Sequence, residues 1–243
     1  MPASLSAASA LAPPFLGRGF VLRLGGLLAG LALGTAAILT AGPWWGETLA
    51  LAGHTASTDT YDLFIGQDHL RLPANVMRFA EQRATGTAER VDLYATWPEM
   101  LGYSDDRRDR FNDVRRPDQL IFLQISQSTM SRDMSGRVAP IYRFLFEGPA
   151  TKGPAGLTAH RLRENSGYGH ETLFTGEDGR ADGYAVRCII PADPSLSTAA
   201  DCQRDVHAGK DLVVVYRFSS QLLPQWRAID DHVARFVDQT LIP

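Results

Sequence analysis

The 243-residue chain has a formal net charge of −3, is 44% hydrophobic and contains two cysteines. All 27 acids but only 22 of the 24 Lys and Arg lie after residue 46, so that part carries −5. This mild acidity excludes nucleic acid as a partner, which wants a basic face, and gives no steering toward anionic lipid.

Residues 1–17 are Ala, Ser and Pro with little pattern and are expected to form a disordered cytoplasmic tail. Residues 18–45 read as a transmembrane anchor. Leu24 to Gly42 holds no charge, and about 20 helical residues cross a bilayer core. Phe20, Val21 and Leu22 extend the run across Arg23, which can snorkel. Pro43 marks the expected helix end, and Trp44 and Trp45 suit the interface.

Arg18 and Arg23 precede the span without an acid, and Glu47 follows it. The positive-inside bias puts the N-terminus in the cytoplasm and the C-terminal part outside, in the periplasm of a bacterium whose inner membrane holds the anchor. Ala50-Leu51-Ala52 resembles a signal-peptide cleavage site, but the apolar run exceeds the usual h-region. Gly26, Gly30 and Gly34 recur at a spacing of four, a helix-packing face for a second copy or another membrane protein's helix. The lipid bilayer is the other expected partner.

Residues 46–59 read as a polar linker, and residues 60–243 as one periplasmic domain of about 190 residues, enough for a single core. Strand patterns run over 61–65, 70–72, 91–97, 120–125, 141–146, 157–162, 171–175, 184–190 and 212–218, with Gly- and Asp-rich turns between them. Residues 105–116, DDRRDRFNDVRR, read as a charged loop with local ion pairs. Trp226, Ile229, Val233, Phe236 and Val237 form a helical stripe after Pro224. The fold class is therefore α+β: a transmembrane helix, then a curled, mainly antiparallel sheet with a C-terminal amphipathic helix packed on it.

Cys188 falls on a strand and Cys202 in the long connection after it; outside the cytoplasm such a pair forms a structural disulfide. No histidine pair has zinc spacing, no calcium loop is matched and no G-x-S-x-G elbow occurs, so no metal or cofactor is assigned. Tyr94 and Tyr103 lie beside the Arg-rich loop and are surface candidates for an interface, with Trp44 and Trp45 at the membrane; Trp97 points inward. Two functions remain. The first is a non-enzymatic binding or assembly module contacting a membrane protein or complex. The second is a tethered hydrolase whose groups converge only in the fold, with His160, His170, Glu164 and Glu171 as candidates.

Overall fold

The computed structural model describes residues 18–50 and 53–243, without the side chains of 18, 21 and 37–50. The chain divides into two units, Met1–Ala52 and Gly53–Pro243. In the first, α1 spans Arg18–Ala50. It runs through Pro43, so the helix does not stop there as expected. Among the described residues no helix is long and apolar enough to cross a membrane. The expected span, however, continues past Ala36, where the described side chains of α1 end. The tail 1–17 and the side chains of Trp44 and Trp45 lie outside the described residues.

The second unit is α+β and mostly sheet. Its strands are β1 (Thr60–Ile65), β2 (Asp68–Pro73), β3 (Gly86–Thr87), β4 (Arg90–Thr96), β5 (Leu120–Gln127), β6 (Thr151–Lys152), β7 (Thr158–Arg161), β8 (Thr172–Gly176), β9 (Tyr184–Cys188), β10 (Cys202–Ala208), β11 (Leu212–Phe218) and β12 (Leu241–Ile242). Between β4 and β5 lies a short helix, α2 (Arg108–Asn112), and α3 (Trp226–Thr240) precedes β12. Eight strands form one sheet in the order β4-β5-β11-β10-β9-β8-β7-β6, and four form another, β12-β2-β1-β3. The large sheet is antiparallel throughout. It does not close into a barrel.

Alternation explains the core. On β11, Leu212, Val214, Tyr216 and Phe218 are buried, while Val213, Val215 and Arg217 face the other way and stay more open. Trp226, Ile229, Val233 and Val237 of α3 join those inward residues, so the helix covers the face that the period-2 pattern made apolar. Packing of α3 reaches both β10 and β2, linking the two sheets.

The hairpin tips add a second link. Asp68 accepts from the backbone N–H groups of Lys210, at 3.0 Å, and of Asp211, at 3.1 Å. Asp211 in turn accepts from Gln67 N–H at 3.0 Å. Gly66 and Gly209 both have φ of +57°. Each also lies where a Cβ would collide with the opposing carboxylate, so only glycine fits.

Four expectations need correction. Residues 141–146 are not a strand: Tyr142–Leu145 forms a 3-10 turn, with Tyr142 buried beside Met134 and Leu162. Residues 105–116 contain helical turns rather than a plain loop. The connection 191–210 contains β10, whose alternation is masked by the inward Arg204. The expected linker is helical up to Ala50, and from Gly53 onward it packs on the domain.

Candidate functional site: an apolar groove beside unpaired arginines

The outward side of β5 carries Phe122. Near it, Phe111, Pro117, Leu120 and the two residues Thr198 and Ala199 enclose an apolar groove of about 250 Å³. Val114 also lines it and is 88% exposed. Phe122 borders in addition a small hollow of about 30 Å³, lined by Arg78, Asp92, Val215 and Arg217. Phe111 is supplied by α2, so the charged segment before β5 builds one side of the groove.

The opposite side is fixed by two devices. The Cys188–Cys202 disulfide joins directly paired residues of β9 and β10 across a Cα separation of 4.0 Å. Sequence alone put Cys202 in a loop, yet it starts a strand. Next to it, the Asp201 carboxylate accepts from Ser197 Oγ at 2.5 Å, Thr198 N–H at 2.9 Å, Thr198 Oγ1 at 2.6 Å, and Ser220 Oγ at 2.7 Å. Partial burial opposes the Asp201 charge, but these donors outweigh it and hold its pKa below the ordinary carboxylate value. The crosslink and this carboxylate together position Thr198 and Ala199 against Phe122.

Charge is distributed unevenly around the groove. Asp92 pairs with Arg90, and Asp113 pairs with Arg115 at 3.0 Å. Arg110 is occupied by Glu99 and by the Trp97 carbonyl. Among the described residues, Arg78 and Arg217 have no carboxylate partner, while Arg116 lies close enough to Asp113 to help lower its pKa. Arg78 lies 5.1 Å from the ring centroids of both Phe79 and Phe122. Arg217 Nε donates to Gln203 Oε1 at 2.9 Å. With its amide oxygen and nitrogen exchanged, Gln119 accepts from the Arg116 guanidinium.

The opposite face of the same sheet is closed. Asp230 of α3 accepts from Arg204 Nε at 2.9 Å, from Tyr216 Oη at 2.5 Å and from Arg180. Arg204 is fully buried and also donates to Ser135 Oγ and the Ala185 carbonyl. Burial works against the Asp230 charge, but the two guanidiniums and the tyrosine keep its pKa lowered. Burial raises the Tyr216 phenol well above its usual range. A carboxylate so engaged is held as a permanent anion, which fits a structural role better than a general base.

The sequence-selected residues scatter. Tyr94 and Tyr103, expected at the surface, are 1% and 0% exposed. They enclose His54 with Phe111: the His54 ring stacks on Tyr103 with centroids 5.0 Å apart, and His54 Nδ1 lies 3.0 Å from Tyr94 Oη. Segments 53–59 and 103–112 cover that strand face, an arrangement invisible to local alternation. Burial lowers the His54 pKa and raises that of Tyr94 to about 12. Trp97 is buried as expected.

The hydrolase candidates are likewise dispersed. His160 stacks on Phe146 and contacts Thr175 Oγ1 at 3.0 Å. Glu171 pairs with Arg187 at 3.3 Å. Among the described residues, His170 and Glu164 make no hydrogen bond or ion pair with them. Ser128 Oγ does lie 3.1 Å from His207 Nε2, a pair separated by 79 residues in sequence that no local motif announces. Yet Ser128 Oγ donates to the Met130 carbonyl at 2.8 Å, which directs its proton away from the ring. Among the described residues no group of three His, Cys, Asp or Glu is placed to hold a metal. Gly26, Gly30 and Gly34 have nothing within 4 Å of where a Cβ would stand.

No family model and no curated protein matches the chain. The fold resembles Smlt3025, an immunity protein of the Stenotrophomonas maltophilia type IV secretion system, with a TM-score of 0.52, 18% identity, and coverage of 79% of this chain and 96% of that one. A weaker likeness is to FrpD, an iron-regulated outer membrane lipoprotein of Neisseria meningitidis, with a TM-score of 0.42, 12% identity, and coverage of 77% and 95%. The first likeness shows the fold alone. Both neighbours bear descriptions from secretion or the cell envelope.

Proposed function

We propose that the chain is a single-pass, membrane-anchored binding module of the bacterial envelope. It works without catalysis and holds a partner protein or complex on its periplasmic domain. The observation that carries this reading is the apolar groove between Phe111, Leu120, Phe122 and Ala199. An exposed apolar concavity costs solubility and is retained where something binds. The domain invests a disulfide and five donors to Asp201 in holding one side of it.

The anchor rests on the charge-free run Leu24 to Gly42 and on Arg18 and Arg23 before it. The disulfide suits an oxidising compartment. Among the described residues nothing lies within 4 Å of a Cβ built at Gly26, Gly30 or Gly34, which supports a face able to take a second helix.

Two measurements test the reading together. A phosphatase fused after Pro243 is expected to be active and a fluorescent reporter there dark; the reverse pattern rejects the topology. Cross-linking in intact cells followed by purification is expected to retain a defined partner. Gly30→Ile is expected to lose the membrane component of that set while insertion persists. A chain that co-purifies with nothing in either form is not a binding module.

A further inference from the structure

Building on the binding reading, we infer that the groove receives an acidic polypeptide segment carrying a bulky apolar anchor residue. Size speaks first. A cavity of about 250 Å³ is smaller than typical small-molecule sites, roughly 300–1,000 Å³, and suits one or two side chains entering from a partner surface. Its lining is mainly apolar, from Phe111, Val114, Pro117, Leu120 and Phe122.

Charge then selects the partner. Both groove acids, Asp92 and Asp113, are already matched by arginines, Arg90 and Arg115. Arg78 and Arg217 are not matched by any described carboxylate. The domain is acidic as a whole, so this local excess of cations is not the average of its surface. Stacking on Phe79 and Phe122 holds Arg78, and Gln203 holds Arg217. Guanidiniums fixed in advance lose little freedom when a carboxylate arrives, and their fork matches it in two hydrogen bonds.

The arrangement favours a polypeptide over a lipid headgroup. Arg78 and Arg217 line the hollow that shares Phe122 with the groove. Two fixed cations beside an apolar recess fit acids next to one anchor residue along a chain. An anionic bilayer surface is not attracted to a domain that carries −5, whereas a single acidic segment meets only these local cations.

The test uses the full chain in its native membrane with a photoreactive phenylalanine analogue at Phe122. The expected adduct is a partner segment with more acids than bases around the attached residue. In the background of Arg78→Glu with Arg217→Glu its yield is expected to fall roughly tenfold at low salt, because charges at a rim act on encounter and are screened. Replacing the partner's acids by Lys is expected to restore it. If the double reversal does not fold, judged by loss of its thermal transition, Arg78→Gln with Arg217→Gln is used, and the expected result is a flatter salt dependence. An adduct to lipid, to a second copy or to a basic segment overturns the inference, as does a yield that ignores the arginines. If partners co-purify while Phe122 gives no adduct, the groove assignment falls and the binding module stands. If nothing co-purifies, both fall.

Discussion

Tyr216 and Arg217 are neighbours on β11, and they open onto two different uses of arginine. On the inward side, Tyr216 joins Arg204 and Arg180 around the Asp230 carboxylate under α3. On the outward side, Arg217 borders a small hollow with Arg78 and has no carboxylate to meet. The same side chain closes the fold in one place and leaves a charge on offer in the other. Burial and the presence of an acid separate the two roles, and neither is a property of the residue itself.

Breaking the closed side should have the largest effect. Asp230→Asn removes the anion while leaving Arg204 buried, so unfolding by denaturant, followed by fluorescence of the buried Trp226 and Trp97, should show a loss of about 3–5 kcal/mol. A loss below about 1 kcal/mol would mean that water already satisfies Arg204 and that the two regions differ less than their burial implies.

The disulfide comes next. Replacing Cys188 and Cys202 by Ser should cost roughly 2–4 kcal/mol. The groove should also become more mobile at Thr198 and Ala199, read as faster amide exchange there than on β4. Uniform exchange changes would show that the crosslink stabilises the domain without shaping the groove.

A smaller effect depends on pH. The folded state lowers the Asp201 pKa, so the unfolded chain takes up its proton first as pH falls. Its stabilisation is complete above the ordinary carboxylate range and disappears as pH drops through the lowered folded value. Asp201→Asn should therefore flatten the acid limb of a stability–pH curve. An unchanged limb would assign acid sensitivity to the other carboxylates with lowered pKa values, the buried Asp230 among them.

The smallest effect sharpens the contrast. Arg78→Gln and Arg217→Gln should leave stability within about 0.5 kcal/mol, as for exposed positions without a carboxylate partner. A larger loss by thermal melting would move these arginines into the class of Arg204.

Much of this architecture is legible in the residues because it is local. Period-2 alternation in LVVVYRF and the 3.6 stripe of α3 declare which faces are apolar, and the two cysteines declare a crosslink. The charge-free run Leu24 to Gly42 carries the anchor reading on composition alone. What local pattern does not contain is the second layer over a strand. Tyr94 alternates as a surface residue, yet His54 and Phe111 arrive from 40 and 17 residues away to bury it. Arg204 hides β10 because an inward charge breaks the apolar pattern, and only Asp230, 26 residues on, makes that position tolerable. The groove likewise joins residues of α2, β5 and the loop before Cys202, whose proximity comes from the order β5-β11-β10-β9. Alternation and hydropathy are set by adjacent residues and are written along the chain; burial of a polar group and convergence of a site depend on distant partners, and the tertiary structure alone brings those together.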